Sequence, residues 1–364
     1  MNFLEKPFVS IIVPCYNEEA ILPGNLQTII DYMDSRADKY QWEILIVNDG
    51  SKDDTGQIAD LFARRRFEVK VIHHPVNLNL GHALQTGFRH SEGDILIVLD
   101  VDLSYGVDYI EQLTDTLIHN MADIVIASPY MRGGKVTGVP FLRRVMSKWV
   151  NKFMSMAAQD KYFTFTGMVR AYRKEYINTL NLKTKDYEIN PEIIYKSMIL
   201  RARIIEIPAH LDWTEQNKFS DQRTSSLKVL RSFFSGLMSG FIFRPYIFFL
   251  AIGLVLLSLS LYELVWLLFD TLGGLAETYK KIPAINNPFS YNLALQFSLN
   301  PQSFIVGGIT FIAALQFLGF GFVSLQNKRY FEELFHLGTN LKKDSLAKST
   351  LPNPVKTRTG KLKI

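Results

Sequence analysis

Cysteine is all but missing. Cys15 is the single one in 364 residues, which excludes an intramolecular disulfide and removes any sequence argument for an oxidising compartment. With no partnering histidine evident, it reads as a buried or site-lining small residue rather than a nucleophile. None of the seven histidines forms an H-E-x-x-H pair. His73 and His74 are neighbours on an expected strand, so their side chains diverge and they read as structural or surface residues. No G-x-G-x-x-G follows the first strand and no G-x-x-x-x-G-K-[ST] occurs anywhere, so neither a dinucleotide fingerprint nor a P-loop is present. The N-terminal "MNFLEKPFVSIIVPCYNEE" also lacks the pattern of a cleavable signal.

Charge is scarce where apolar residues concentrate, late in the chain. "YIFFLAIGLVLLSLSLYELVWLLF" (Tyr246–Phe269) has only Glu263, and "SFIVGGITFIAALQFLGFGFVSL" (Ser303–Leu325) has none. At about 1.5 Å per residue each is long enough to cross a hydrocarbon core of roughly 30 Å. Five Lys/Arg against one Asp precede the first, between Lys218 and Arg244, and nine against three acidic residues follow the second, from Lys328 to Ile364. The connecting loop Thr271–Gln302 carries only Glu277, Lys280 and Lys281. By the positive-inside rule both termini are expected in the cytoplasm, with that loop outside a multi-pass cytoplasmic membrane protein. The net charge of +5 is then an attraction to anionic lipid rather than a sign of nucleic-acid binding. Glu263 is placed either to pair with another subunit of a homo-oligomer or to reach the interface.

The first half is different. "FVSIIVP", "WEILIVND", "EVKVIHH", "DILIVLD" and "DIVIAS" are short apolar runs separated by helical patterns, which predicts an α/β domain with a mostly parallel sheet covered on both faces. Ligands in such sheets bind beyond the carboxyl ends of the strands. There lie "PCYNEE", "NDGSKDDT" and "DVDLS". If the fourth strand stays extended, Asp100 and Asp102 share one face and repel. Either a divalent cation neutralises them, or they are solvated turn carboxylates, one capping a helix over Asp108–Leu117.

Downstream, "PFLRRVMSKWVNKF" (Pro140–Phe153) predicts a helix with an apolar stripe of Leu142, Met146, Trp149 and Phe153 and a basic one of Arg144, Lys148 and Lys152. It either lies in a membrane interface or packs on the sheet. A second amphipathic stretch, Leu227–Phe243, precedes the first apolar run. The expected organisation is a catalytic-type domain over 1–226, a juxtamembrane amphipathic helix over 227–245, a two-helix membrane domain over 246–326 and a basic cytoplasmic tail over 327–364, disordered after Leu346.

The motifs "VPCYNEE", "VNDGSKDDT", "NLNLGHALQTG" and "LDVDLS", with "VPFLRRVMS" and "MVRAYRKE" after them, resemble in order and spacing the family 2 glycosyltransferases, inverting enzymes of GT-A fold. Within these the chain is similar to the polyprenyl-phosphate glycosyltransferases, the group that includes dolichyl-phosphate mannose synthases. The resemblance covers about Phe8 to Leu230, and the paired apolar runs extend it to about residue 330. It implies a nucleotide-diphosphate sugar donor held by Pro14, Tyr16, Asn17, Glu18, Asp49, Gly50 and Ser51, and Mg²⁺ or Mn²⁺ held by Asp100 and Asp102. It also implies a polyprenyl phosphate acceptor at Arg143 and Ser147. Ser104 stands where many relatives carry a glutamine that completes the metal shell. Pro129 replaces a common arginine whose charge Arg132 would supply, and Thr164 replaces a frequent aspartate. Arg144, Lys148 and Arg223 complete a basic set suited to lipid phosphate. The Q-x-x-R-W signature of processive synthases is absent, because Gln222-Arg223 is followed by threonine. The alternative acceptor is a hydroxyl of a glycerolipid or glycan, which would need a base. Glu188 or Glu192 would serve, unless they are merely carboxylates at a helix start.

Overall fold

The computed structural model describes residues 6–157, 162–214, 241 and 245–349. Arg223 and all of the expected helix 227–245 but Phe241 and Pro245 lie outside them, as do the last residues of the expected tail. The chain divides into two units, Met1–Ser239 with Glu333–Ile364, and Gly240–Glu332.

The first unit is built on β1 (Phe8–Cys15), β2 (Gln41–Asn48), β3 (Val69–His73), β4 (Ile95–Val98), β5 (Ile124–Ser128), β7 (Arg170–Arg173) and β8 (Ile204–Pro208). They form one sheet in the order β3-β2-β1-β4-β7-β5-β8. All neighbours are parallel except β7, which runs antiparallel to both β4 and β5. A separate parallel pair joins β6 (Lys135–Thr137) to β9 (His210–Asp212). The mostly parallel α/β sheet is therefore as expected. Its central strands read as continuous apolar runs because helices cover both faces: Val9, Ile11, Ile12 and Val13 are buried, as are all four residues of β4.

Helices α1 (Leu22–Asp34), α2 (Thr55–Arg65), α3 (Leu80–His90) and α4 (Tyr109–His119) connect the early strands. In α1, Pro23 in the first turn supplies a preset φ, and Leu22, Leu26, Ile29, Ile30 and Met33 form the packed stripe. The inserted β7 was not legible as a strand: its sequence is Arg-Ala-Tyr-Arg. Arg170 is nonetheless fully buried, with its guanidinium donating to the carbonyls of Asn190 (3.0 Å) and Phe165 (2.7 Å). Those two bonds tie the strand to α7 (Ile189–Ile199) and to the loop before β7; α6 (Lys174–Thr179) lies between.

Helix α5 (Phe141–Ala157) starts one residue after Pro140. Its packed side carries Val150, Asn151 and Met154, whereas Leu142 and Trp149 of the expected apolar stripe are 66% and 64% exposed. Leu142 and Trp149 therefore do not pack on the sheet, whereas Met146 is half-buried.

In the second unit, α8 (Pro245–Gly273) is followed by two short helices, α9 (Leu275–Lys281) and α10 (Pro288–Leu299), and then by α11 (Pro301–Ser349). Two helical stretches, Pro245–Lys281 and Pro301–Leu341, are long and apolar enough to cross a membrane. Two expectations are corrected. The connecting segment is largely helical rather than a loop, and the start of the basic tail continues α11 to Ser349 because nothing between Leu325 and Ser349 breaks a helix: there is no proline and one glycine, Gly338. The long helices approach closely through small residues. A Cβ at Gly253 would sit 2.9 Å from Leu318, and one at Gly321 would sit 2.6 Å from Leu250. Ser260 donates to the carbonyl of Gly307 across the same contact (3.1 Å), and Phe249 packs on Phe317 and Phe320.

Candidate active site

The loops that leave β1 and β2 are sewn together. Asn17, at φ 55°, accepts from the Lys52 amide (2.8 Å) while its own amide donates to Ser51 Oγ (3.0 Å). The Glu18 amide donates to Thr55 Oγ1 (2.7 Å), and the Glu19 amide to Asp53 (3.2 Å). Asp54 answers with its amide on Glu19 (2.9 Å). Such reciprocal bonds replace strand pairing where the sheet has ended. Gly50 makes the second loop feasible: it sits at φ +68°, and a Cβ there would lie 2.3 Å from the Val76 carbonyl carbon. Pro14, Tyr16, Asn17, Glu18, Asp49, Gly50 and Ser51 are thereby gathered on two adjoining loops, with the Tyr16 ring 40% exposed.

Asp49 is buried and anchored on three sides. Its amide donates to Cys15 O (2.9 Å), and its Oδ1 accepts from the Leu78 amide (3.0 Å) and from His74 Nδ1 (2.6 Å). His74 Nε2 meets Thr86 Oγ1 at 3.0 Å. His74 is therefore part of the site's support, a role the sequence reading missed; β3 ends at His73, and the turn there swings His74 toward Asp49. His73 remains peripheral, contacting Asn48 and Asp60. Cys15 is buried as expected, and burial, with Glu18 and Asp53 adding, pushes its thiol far above the ordinary range. It is inert.

Asp100 and Asp102 do lie together, but not for the reason expected. β4 ends at Val98, so strand alternation does not apply to them. A turn brings them close instead: Leu103, at φ 48°, donates to Asp100 O (3.1 Å), and the Ser104 amide donates to Asp102 Oδ1 (2.9 Å). Asn25 Nδ2 pins the turn at Val101 O (2.9 Å), and the Asp212 amide pins it at Ser104 O (2.9 Å). Neither aspartate caps α4, which is preceded by Asp108. Burial first, then the carboxylates of Asp102 and Glu18, pushes the Asp100 carboxyl well above its usual range. Burial and neighbouring carboxylates both disfavour the charged form of such a group. Among the described residues no three His, Cys, Asp or Glu side chains converge as a metal cluster. The aspartate pair fits a cation that takes its remaining ligands from water or from a bound phosphate.

A second group forms around α5. Tyr130 donates to Ser147 Oγ (2.8 Å), and the Arg143 guanidinium lies 4.1 Å from the centre of the Trp213 ring. Burial holds the Arg143 group below its usual range, countered by Tyr187 and Tyr130. Arg143 and Ser147 are one helical turn apart; Arg144 is half-buried, and Arg132 and Lys148 are exposed. Tyr130 and Trp213 join the site from loops distant in sequence and gave no local signal. Glu192 is not available as a base. It accepts from the Lys183 and Thr184 amides (2.9 Å each) and pairs with Lys196 at 2.5 Å. Burial raises its pKa, but those partners outweigh burial and hold it below the usual range. Glu188 immediately precedes α7.

A mostly parallel sheet with polar loops and a pair of aspartates at its carboxyl edge places these residues where open α/β sheets bind ligands. Residues 10–180 match the family model of glycosyl transferase family 2. The chain is similar to the dolichol-phosphate mannosyltransferase of Pyrococcus furiosus, with 32% identity over 203 residues covering 55% of this chain and 55% of that protein. It is also similar to the dolichyl-phosphate beta-glucosyltransferase ALG5A of Trichomonas vaginalis, with 28% identity over 218 residues covering 57% and 66% respectively. The chain thus spans between about half and two thirds of these relatives. Among solved structures it resembles the mannosyltransferase PcManGT of Pyrobaculum calidifontis in complex with GDP-Man and Mn²⁺, at TM-score 0.43 and 18% identity over 93% of this chain and 87% of that one. It also resembles glucosyl-3-phosphoglycerate synthase of Mycobacterium tuberculosis with Mn²⁺ and UDP, at TM-score 0.41 and 19% identity over 57% and 70%.

Proposed function

We propose that this protein is a membrane-anchored, inverting glycosyltransferase that moves a sugar from a nucleotide-diphosphate donor to polyprenyl phosphate at the cytoplasmic face. The observation that carries the reading is the recessed Asp100–Asp102 pair beside the two sewn loops, within the residues that match family 2. Dolichyl-phosphate sugar transferases among the relatives support the acceptor. In this reading Pro14, Tyr16, Asn17, Glu18, Asp49, Gly50 and Ser51 bind the nucleoside. Asp100 and Asp102, with Ser104 beside them, would hold Mg²⁺ or Mn²⁺, which supplies Lewis-acid neutralisation of the departing diphosphate. Arg143 and Ser147 hold the acceptor phosphate, and Arg132 sits at the rim. A phosphate oxygen attacks the anomeric carbon as the bond to the nucleotide diphosphate breaks, in one displacement. A phosphate monoester is already anionic near neutral pH, so the step needs no general base. This agrees with Glu192 being fully engaged as a structural brace, and disfavours the hydroxyl acceptor. Both termini lie in the cytoplasm, and the 1–226 domain works on lipid in the inner leaflet.

The test offers the purified protein polyprenyl phosphate, the matching polyprenol and diacylglycerol, each with labelled UDP- and GDP-sugars. Only the phosphate should accept sugar, giving a product labile in mild acid; equal transfer to polyprenol or diacylglycerol overturns the reading.

A further inference from the structure

Helix α10 is inside-out for a helix in water. Asn292 is its only buried residue, and Gln296 is partly covered, whereas Tyr291, Leu295, Phe297 and Leu299 are 44–62% exposed. The two amide side chains are bonded within this unit, while Ser290 and Ser298 are exposed, Ser298 donating back to Leu295 O (2.7 Å). Asn292 Oδ1 accepts from Thr278 Oγ1 of α9 (2.6 Å), and its Nδ2 donates to Thr271 O of α8 (3.3 Å). Gln296 Oε1 accepts from Asn300 (3.3 Å). The sequence adds a separate observation: no Asp, Glu, Lys or Arg occurs from Ile282 to Asn327, so the uncharged stretch begins well before α11 and is much longer than one span requires. A helix that turns its amide side chains toward protein and its aromatic and aliphatic groups outward is solvated by something apolar.

We propose that α10 is embedded in the lipid bilayer, its exposed Tyr291, Leu295, Phe297 and Leu299 against acyl chains, instead of forming part of an aqueous connecting loop. At 12 residues and about 1.5 Å each it is too short to cross a core of roughly 30 Å. It enters and leaves on one side, latched to α8 and α9 by Asn292. The inference rests on the membrane reading of α8 and α11, and its occupant is lipid because the apolar runs of those helices, Tyr246–Phe269 with only Glu263 charged and Ser303–Leu325 with no charge, leave large apolar side chains exposed in the same way.

Nitroxide labels test this in the full-length protein reconstituted in phosphatidylcholine liposomes, in a Cys15→Ser background. Leu295→Cys and Phe297→Cys report α10, Val255→Cys on the outer side of α8 reports the first span, and Asn286→Cys reports the preceding turn. Collision with oxygen and with a water-soluble nickel chelate distinguishes lipid, water and protein surroundings. Labels at 295 and 297 should resemble that at 255, with high oxygen and low nickel access, while 286 shows the reverse. High nickel access at 295 and 297 with a lipid-like 255 overturns the proposal and leaves the spans intact. Low access to both reagents means that a second copy covers α10, which also overturns it. High nickel access at 255 removes the membrane reading itself. Two label sites guard against one variant failing to fold, judged by gel filtration.

Discussion

His74 Nδ1 lies 2.6 Å from Asp49 Oδ1, and both side chains are more than nine-tenths buried. The Thr86 hydroxyl at Nε2 and the Leu78 amide on the same Asp49 oxygen complete the arrangement. The Asp49 carboxylate at the head of the second loop is therefore held by a histidine that belongs to neither loop. A hydrogen bond to a charged group contributes about 1.5–3 kcal/mol. His74→Leu should weaken nucleoside diphosphate binding about tenfold or more by calorimetry and raise the donor KM, with kcat less affected. His74→Asn, whose amide can occupy the Nδ1 position, should restore much of the affinity. Equal binding in all three proteins would show that Asp49 needs no such support.

The crowded carboxylates separate rate from stability. Asp102→Asn removes one of the two charges that push Asp100 up, so thermal unfolding should occur at the same temperature or higher. Turnover should fall by at least about a hundredfold, the scale of a lost electrostatic contact to the transition state, and EDTA should abolish it in the parent protein. Near-normal turnover in EDTA would contradict metal use by this pair.

Sequence pattern revealed the strands because a parallel strand buried on both faces reads as a nearly continuous apolar run, as in β1, β2 and β4, where Ser10 and Glu43 are buried exceptions that bond each other. It found the aspartate pair through alternation, although the pair is made by a turn whose left-handed Leu103 has no sequence signature. β7 was hidden because Arg170, charged and yet fully buried, places two guanidinium donors on the carbonyls of Phe165 and Asn190, which no strand pattern records. Tyr130 and Trp213 reach the α5 cluster through loops, where neither period nor spacing records proximity. The segment of α10 was read only as the connection between two apolar runs, because it has no one-sided apolar stripe to mark a helix.

Acid should weaken one staple that is remote from the chemistry. Glu111 of α4 pairs with Lys39 and with Arg36 (2.8 Å), and those hydrogen bonds hold its carboxyl down from an ordinary 4.5 to about 2. A lowered folded-state value means that the stabilisation is complete above about pH 4.5 and is lost as pH falls toward 2. Glu111→Gln should therefore lower the unfolding temperature modestly at pH 7, by the equivalent of about 1 kcal/mol or less for so accessible a pair. The gap to the parent should close as the pH is taken from 4.5 to 2. A gap that persists unchanged at the lowest pH would place the effect in packing.

The acceptor contact is the most discriminating residue to change. Arg143 offers a planar fork suited to phosphate oxygens, and the Trp213 ring at 4.1 Å holds that fork in place. Arg143→Ala should slow transfer to polyprenyl phosphate about ten- to a hundredfold, the equivalent of 1.5–3 kcal/mol for a charge-assisted bond. Nucleotide binding should be unchanged, because the amides of Asn17 and Glu18 are held by Ser51 and Thr55, whereas Ser147 and Arg143 of α5 are held by Tyr130 and Trp213. Arg143→Lys keeps the charge but not the paired donors, and should recover only part of the rate. Trp213→Ala keeps the arginine but frees it, and should raise the acceptor KM by a smaller factor, in line with about 0.5–2 kcal/mol for a cation over an aromatic face. If Arg143→Ala instead loses nucleotide affinity and leaves the acceptor KM alone, α5 belongs to the donor side and the acceptor phosphate is held elsewhere.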